Sequence, residues 1–369
     1  MRKLIHLQLL PMLSGVQRFS LHLLDGLPKD QYEIYVASAV GGELEDEVRV
    51  RGWKFLPLSA LKHPISPMDI PAMLQILWLF HRHRFDIVHT NSSKPGLLGR
   101  LAARLVKVPL IVHTVHGTAF QEHQGRLSQA FFMQMERVGN ALGDSTVFVN
   151  HSDRERCLKL GLVQPEKAIT IYNAMPDVQN QAPIPSKTRS EAGITVGSTI
   201  RFSDQKNVIS LIIAACRACH REPKLRFIIL GDGEHHDLCR SIVASHRLSE
   251  RIILPGWDSQ VQPWLAIFDI FVLYSRWEAM PFSIIEAMHA GLPVIGSEID
   301  SIRELVDDAS GWIIPLDDED ALADSFVNIA NNPSMMRRKG QNALSRIKKL
   351  CDYEEMIAAY HRVYEGEKP

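Results

Sequence analysis

Glu278 and Glu286 bracket the start of a predicted helix, at a place where a parallel sheet can hold a ligand. The apolar run Ile270 to Leu273 reads as a buried parallel strand. A polar break follows over Tyr274 to Glu278. A helix is then predicted from near Pro281 to about His289, stopped by Gly291 and Pro293, before Val294 to Gly296 begins the next strand. In open α/β sheets, ligands sit at the carboxyl ends of the strands. A helix start at that end offers N–H groups and partial positive charge, which suit a phosphate. Two carboxylates beside an anion site make sense when the ligand also carries hydroxyls. A nucleotide sugar has both, with a ribose and a hexose on either side of a diphosphate. Arg201 and Lys206, five positions apart, bracket another predicted strand-to-helix turn. Arginine grips phosphate oxygens in pairs, and lysine acts as a compact point charge.

Glu278-x7-Glu286, followed by Ala-Met-x-Ala-Gly-x-Pro-Val over residues 287–294 and then Glu304, resembles the signature of the retaining GT-B glycosyltransferases of family 4. The similarity extends over nearly the whole chain. It implies an α/β GT-B fold, two doubly wound Rossmann-like domains facing a central cleft. It also implies residue roles. Glu286 accepts from the ribose hydroxyls, and Glu278 from hydroxyls of the transferred sugar. Backbone groups of Met280, Pro281, Phe282 and Ser283 meet the distal phosphate or the sugar. Arg201 and Lys206 match the family's spacing for the cations that stabilise the leaving diphosphate in place of a divalent ion, so neither metal nor cofactor is expected. Gly15 touches the diphosphate through its N–H, Gly231 lies along the nucleotide, and His116 approaches the transferred sugar. This chain has Ser14-Gly15 where relatives often have two glycines, and Ile200 where they often have a small residue. No enzyme nucleophile is evident, which fits front-face transfer.

These residues need two scaffolds. In residues 1–176, apolar runs near 4–10, 34–37, 54–57, 87–90, 110–113, 146–149 and 169–172 alternate with helical stretches near 19–27, 43–51, 68–83, 95–106, 127–142 and 152–160. That alternation predicts a doubly wound parallel sheet. Residues 177–192 are polar, carry Pro183 and Pro185, and read as a linker. Residues 193–350 repeat the alternation and hold the donor motifs. Residues 351–369 contain a tail helix, expected by the resemblance to return to the first domain.

At 369 residues, with 46% apolar and 22% charged residues and a net charge of −1, the chain has the composition of a soluble globular protein without a nucleic-acid signature. Residues 1–180 hold 20 Lys+Arg against 16 Asp+Glu, a mildly basic half. Apolar runs such as Met73 to Phe80 fall well short of the roughly 18–20 residues a membrane span needs. Five scattered cysteines point to a reducing cytoplasm, with Cys216 and Cys219 read as buried thiols in a helix. Helix 95–106 places Arg100, Arg104 and Lys107 on one face, which suits either plain solvent or an anionic bilayer. Asp86 to Asn91 ends a strand in polar residues that either cap the next helix or hold an acceptor. Gln121 to Gly125 reads as a loop suited to an acceptor lid, and Trp257 as either a base contact or core. Asp317 to Asp320 reads as a helix cap rather than a metal motif.

The expectation is a retaining, metal-independent hexosyltransferase, cytoplasmic, with peripheral contact to the inner membrane left open. Its donor is a nucleotide diphospho-sugar, UDP preferred over GDP, carrying a hexose or N-acetylhexosamine. Its acceptor is a lipid-linked saccharide on polyprenyl diphosphate, in surface-polysaccharide synthesis of the O-antigen or capsule type. A GT-B sugar-nucleotide epimerase and a non-catalytic nucleotide-sugar-binding subunit are the alternatives.

Overall fold

The apolar runs of the first half form parallel strands, and β1 to β6 are each followed by a helix. The computed structural model describes residues 1–62, 66–120, 125–176 and 193–367. The predicted linker, 177–192, and residues 121–124 of the expected lid lie outside them. The chain divides into two compact units, Met1–Pro176 with Tyr353–Pro369, and Asp177–Asp352.

The first unit runs β1 (Arg2–Leu7), α1 (Gly15–Gly26), β2 (Tyr32–Ser38), α2 (Glu43–Val50), β3 (Lys54–Pro57), α3 (Asp69–His83), β4 (Ile87–Asn91), α4 (Ser93–Leu105), β5 (Leu110–Val115), α5 (Arg126–Leu142), β6 (Ser145–Phe148), α6 (His151–Lys159) and β7 (Ala168–Thr170). Its strands lie in the order β3-β2-β1-β4-β5-β6-β7 and all pair in parallel. The order reverses between β1 and β4, so the crossovers that follow those strands leave on opposite faces and open a crevice at their carboxyl ends. Ile5, Leu7, Val88 and Ile111 fill the core beneath α3 and α4.

The second unit runs β8 (Ile194–Thr199), α7 (Val208–Arg221), β9 (Leu225–Leu230), α8 (His236–Ser245), β10 (Ile252–Gly256), α9 (Gln262–Ile267), β11 (Ile270–Leu273), α10 (Phe282–His289), β12 (Val294–Ser297), α11 (Asp300–Leu305), β13 (Gly311–Ile314), α12 (Glu319–Ala330) and α13 (Pro333–Leu350). Its strand order, β10-β9-β8-β11-β12-β13, reverses between β8 and β11. All four residues of β11 are fully buried, as a strand covered on both faces must be. Cys216 and Cys219 are buried free thiols of α7, and burial pushes each up to about 11. Trp257 is 65% exposed, so it is not a core residue. Asp318 caps α12, its carboxylate accepting from the Ala321 N–H at 2.8 Å.

The last helix, α14 (Tyr353–Tyr364), belongs to the first unit. Tyr360 and Tyr364 are wholly buried there. The Tyr364 hydroxyl bonds His6 Nε2 at 3.0 Å and His89 Nδ1 at 2.6 Å. Thr114 Oγ1 joins His89 Nε2 at 2.8 Å and the Tyr360 hydroxyl at 3.0 Å. The tail is therefore fastened to β1, β4 and β5 by polar contacts made out of water.

Candidate active site

In the second unit, the switch point between β8 and β11 sets two loops side by side, residues 200–207 and 274–281. The first is anchored by Phe202, fully buried, whose N–H donates to the Asp232 carbonyl at 2.9 Å. A single 3₁₀ turn, Asp204–Lys206, follows, and Asn207 takes the left-handed conformation at φ 49° to open α7. The second loop is laced to the first. The Arg276 N–H donates to the Gln205 carbonyl at 2.8 Å, and Gln205 Nε2 donates to the Trp277 carbonyl at 3.0 Å. The Arg276 guanidinium donates to Asn207 Oδ1 at 3.0 Å and to Asp317 at 2.9 Å. These bonds hold two segments some seventy positions apart at one sheet end. Ser275 is buried beneath this turn, and its hydroxyl has no hydrogen-bond partner among the described residues.

Lys206 and Glu278 meet here. The ammonium pairs directly with Glu278 Oε1, and the side chains are 19% and 7% exposed. An ion pair this withdrawn from water needs both partners. Arg201, five residues before the lysine, points outward, and its guanidinium has no hydrogen bond or ion pair among the described residues. Glu286 is half-buried one turn inside α10, whose first residues, Phe282 and Ser283, directly follow Met280 and Pro281. Gly231 directly follows β9 with φ 135°, and a Cβ there would lie 1.8 Å from the Ile200 carbonyl oxygen. Only glycine permits that approach of the β9 loop to the β8 loop. Beside them Asp204, Glu234 and His235 form an exposed cluster, with His235 Nε2 2.8 Å from Asp204.

In the first unit, Gly15 is the exposed first residue of α1. His116 follows β5, and its Nε2 lies 2.9 Å from Asn91 Oδ1. An amide oxygen only accepts, so Nε2 carries the proton and Nδ1 keeps its lone pair. Burial lowers the His116 pKa to about 3, so the ring stays neutral at physiological pH. Its edge packs on Phe19, with centroids 4.8 Å apart. Asn91 is fully buried, and its Nδ2 has no partner among the described residues. The sequence left this polar strand end either to cap the next helix or to hold an acceptor. Ser92 is the cap residue instead, without a side-chain cap bond, and Asn91 orients His116. The strand register, which pairs Asn91 with Thr114, brings the two together, and that register is not written in either segment alone.

A cavity of about 560 Å³ opens at the same strand ends, between Leu10 of the β1–α1 loop, Val16 of α1, Leu97 of α4, and Phe132 and Met135 of α5. Arg100 also lines it. The expected basic stripe therefore needs correction. Arg100 does not share an outer face with Arg104 and Lys107. It is 1% exposed, donates to the Gly96 carbonyl and to Asn140 Oδ1 at 2.8 Å each, and lies 3.7 Å from Glu136. Gly139 leaves room for it, since a Cβ there would meet the guanidinium at 2.2 Å.

Residues 193–332 match the model of the family described as "Glycosyl transferases group 1", and residues 13–177 match "Glycosyltransferase Family 4". The chain is 32% identical over 377 residues to the UDP-Gal:alpha-D-GlcNAc-diphosphoundecaprenol alpha-1,3-galactosyltransferase of Escherichia coli, covering 96% of this chain and 97% of that one. It is 23% identical to the N-acetyl-alpha-D-glucosaminyl L-malate synthase of Bacillus anthracis, over 83% of this chain and 81% of that one. Among solved structures, Anabaena HepE in complex with UDP and glucose superposes with a TM-score of 0.85 at 16% identity, over 99% of this chain and all of that one. The sucrose-phosphate synthase of Thermosynechococcus elongatus superposes at 0.82 and 16% identity, covering 99% of each chain. The two doubly wound units are those of the GT-B fold.

Proposed function

The chain belongs to the family 4 glycosyltransferases, and from that premise we propose that it moves a hexose or N-acetylhexosamine from a UDP-sugar to a saccharide on polyprenyl diphosphate, retaining the anomeric configuration and using no metal. The observation that carries this is the Lys206–Glu278 pair at the switch point, with Arg201 on the same loop. Arg201 and Lys206 take the charge that grows on the departing diphosphate. Fixed charges aimed at a developing anion are worth about 2.7–4 kcal/mol each, enough to serve where other enzymes use an ion. Glu278 exchanges its ammonium partner for sugar hydroxyls as the donor enters, which frees Lys206 for the phosphate. Glu286 accepts from the ribose. His116 Nδ1 accepts from a sugar hydroxyl, the role its fixed tautomer leaves open. The acceptor oxygen bonds to the anomeric carbon on the face the diphosphate leaves, and its proton goes to the diphosphate.

The Escherichia coli relative, named for UDP-Gal and for GlcNAc-diphosphoundecaprenol, supports UDP over GDP and a lipid-linked acceptor. That chemistry belongs to the synthesis of surface polysaccharide, of the O-antigen or capsule type. The cavity beside Leu10 and Leu97 is a fitting place for the apolar part of such an acceptor. The test is nucleotide release from a panel of UDP- and GDP-sugars in EDTA, with and without polyprenyl-diphosphate-GlcNAc. Release of UDP only with the acceptor is the expected result. Conversion of the donor without acceptor would instead identify an epimerase, and donor binding without release a non-catalytic subunit.

A further inference from the structure

We propose that the outer face of α3, α4 and α5 is a docking surface for an anionic phospholipid bilayer. These helices follow β3, β4 and β5, and neighbouring pairs pack together, α3 on α4 and α4 on α5, over one face of the first sheet. Their outer sides are apolar where a soluble helix is polar. Ile70, Leu74 and Trp78 of α3 recur every fourth residue, as do Leu101 and Leu105 of α4, and Leu127 and Phe131 of α5. Ile70, Leu74, Trp78, Leu105, Leu127 and Phe131 are between 51% and 90% exposed. Single exposed apolar residues are ordinary, but three adjacent helices with matching stripes form a patch, and patches mark partners.

The charges name the partner. The three helices carry two acidic residues, Asp69 and Glu136. Asp69 pairs with Lys94, and Glu136 is buried against Arg100. Arg104 pairs with Asp144, just beyond α5, at 3.1 Å, and the other exposed ionic groups of the face are cationic: Arg82, Arg126, Arg137 and, just after α4, Lys107. The acidic helix α2, with Glu43, Glu45 and Asp46 in its first turn, follows β2 on the other wing of the sheet. Arg82 lies over the Trp78 ring, 5.5 Å from its centroid, which joins an indole to a cation as the headgroup zone favours. Apolar stripes rimmed by cations lie in the plane of an anionic interface. Among the described residues no helix is long and apolar enough to cross a membrane, so the contact is peripheral. Arg100, the residue the sequence placed on such a face, takes no part, because it is buried. The proposal rests on the lipid-linked acceptor for its purpose, but the apolar and cationic face stands without it.

The experiment is co-sedimentation of the full chain with sucrose-loaded vesicles, equal phosphatidylglycerol and phosphatidylcholine against pure phosphatidylcholine. The wild type should partition at least tenfold better onto the anionic vesicles. The triple variant Leu74→Ser, Trp78→Ser, Phe131→Ser should lose at least tenfold, with its unfolding midpoint and UDP affinity unchanged. Arg126→Glu with Lys107→Glu should lose the preference for anionic lipid. A wild type that ignores both vesicles, or a triple variant that binds like the wild type, overturns the proposal. So does a wild-type dimer that the triple variant dissolves while vesicle binding stays absent, since the occupant is then a second copy. Vesicle binding without transfer to the lipid-linked acceptor would sink the assigned reaction and leave the surface standing. Transfer to a short water-soluble acceptor without vesicle binding would do the reverse.

Discussion

At the scale of single residues, Lys206 is the sharpest test. If Lys206 faces the departing diphosphate as proposed, Lys206→Ala should cost about 10²–10³ in turnover. It also strands Glu278, 7% exposed, without its cation. A loss of about 1–3 kcal/mol in stability should accompany it, read as a lower urea midpoint. Turnover within threefold of wild type would contradict the role. His116 makes a different prediction. Its ring is neutral, with a pKa held near 3 by burial. The ratio of wild-type to His116→Ala activity should therefore be the same at pH 6 and pH 8, and a ratio that changes tenfold would show an ionising histidine. That Arg201 and Lys206 share one strand-to-helix loop was legible, because they stand five positions apart between β8 and α7. The pairing of Lys206 with Glu278 was not, because it is made by the sheet's strand order and not by either segment. Arg100 was misread for a related reason. A spacing of four puts it on the same helix face as Arg104, but Gly139 of the neighbouring helix opens a slot that draws one guanidinium inward and leaves the other outside.

Among elements, α14 is held by groups that titrate. Burial lowers His6 to about 3 and holds His89 and His113 well below the usual imidazole range. In the unfolded chain these rings take up protons near 6.5, so between pH 6.5 and about 3 the unfolded state binds more protons. Stability is full above pH 6.5 and falls as pH drops below it, on the order of 2 kcal/mol for His6 alone at pH 5. The urea midpoint should decline from pH 7.5 to pH 5. Other titrating groups facing this cluster are the phenols of Tyr360 and Tyr364, which burial pushes upward, so they stay protonated throughout that range. Tyr364→Phe removes the hydroxyl shared by His6 and His89 and should cost about 1–3 kcal/mol. A midpoint unchanged in that variant would show that the tail is held by packing alone. The sequence marks α14 as a helix, since Tyr360 and Tyr364 recur at one helical turn. That three strands meet those phenols with histidine and threonine depends on register.

For the whole molecule, two doubly wound sheets follow from the alternation of short apolar runs with amphipathic stretches, which allows few topologies. The helix α13 escaped that reading. Its buried stripe, with Met336, Ala343 and Ile347, is sparse among cations such as Arg337, Arg338 and Lys348, so helical periodicity barely rises above the polar background. Of the residues proposed to hold the donor, Arg201, Lys206, Gly231, Glu278 and Glu286 fall in the second unit and Gly15 and His116 in the first, and the proposal gives Arg201 and Lys206 the work that a divalent ion does in other glycosyl transfers. Transfer rates in excess EDTA and in added magnesium should agree within twofold, and a rate restored only by the ion would contradict that assignment. The most direct measurement is a crystal structure of the chain soaked with a UDP-hexose. The account predicts the diphosphate between the Arg201 guanidinium and the Lys206 ammonium, the ribose on Glu286, and a sugar hydroxyl in the place Lys206 holds on Glu278 in the free protein. A donor bound elsewhere, or both cations turned away from its phosphates, would contradict it.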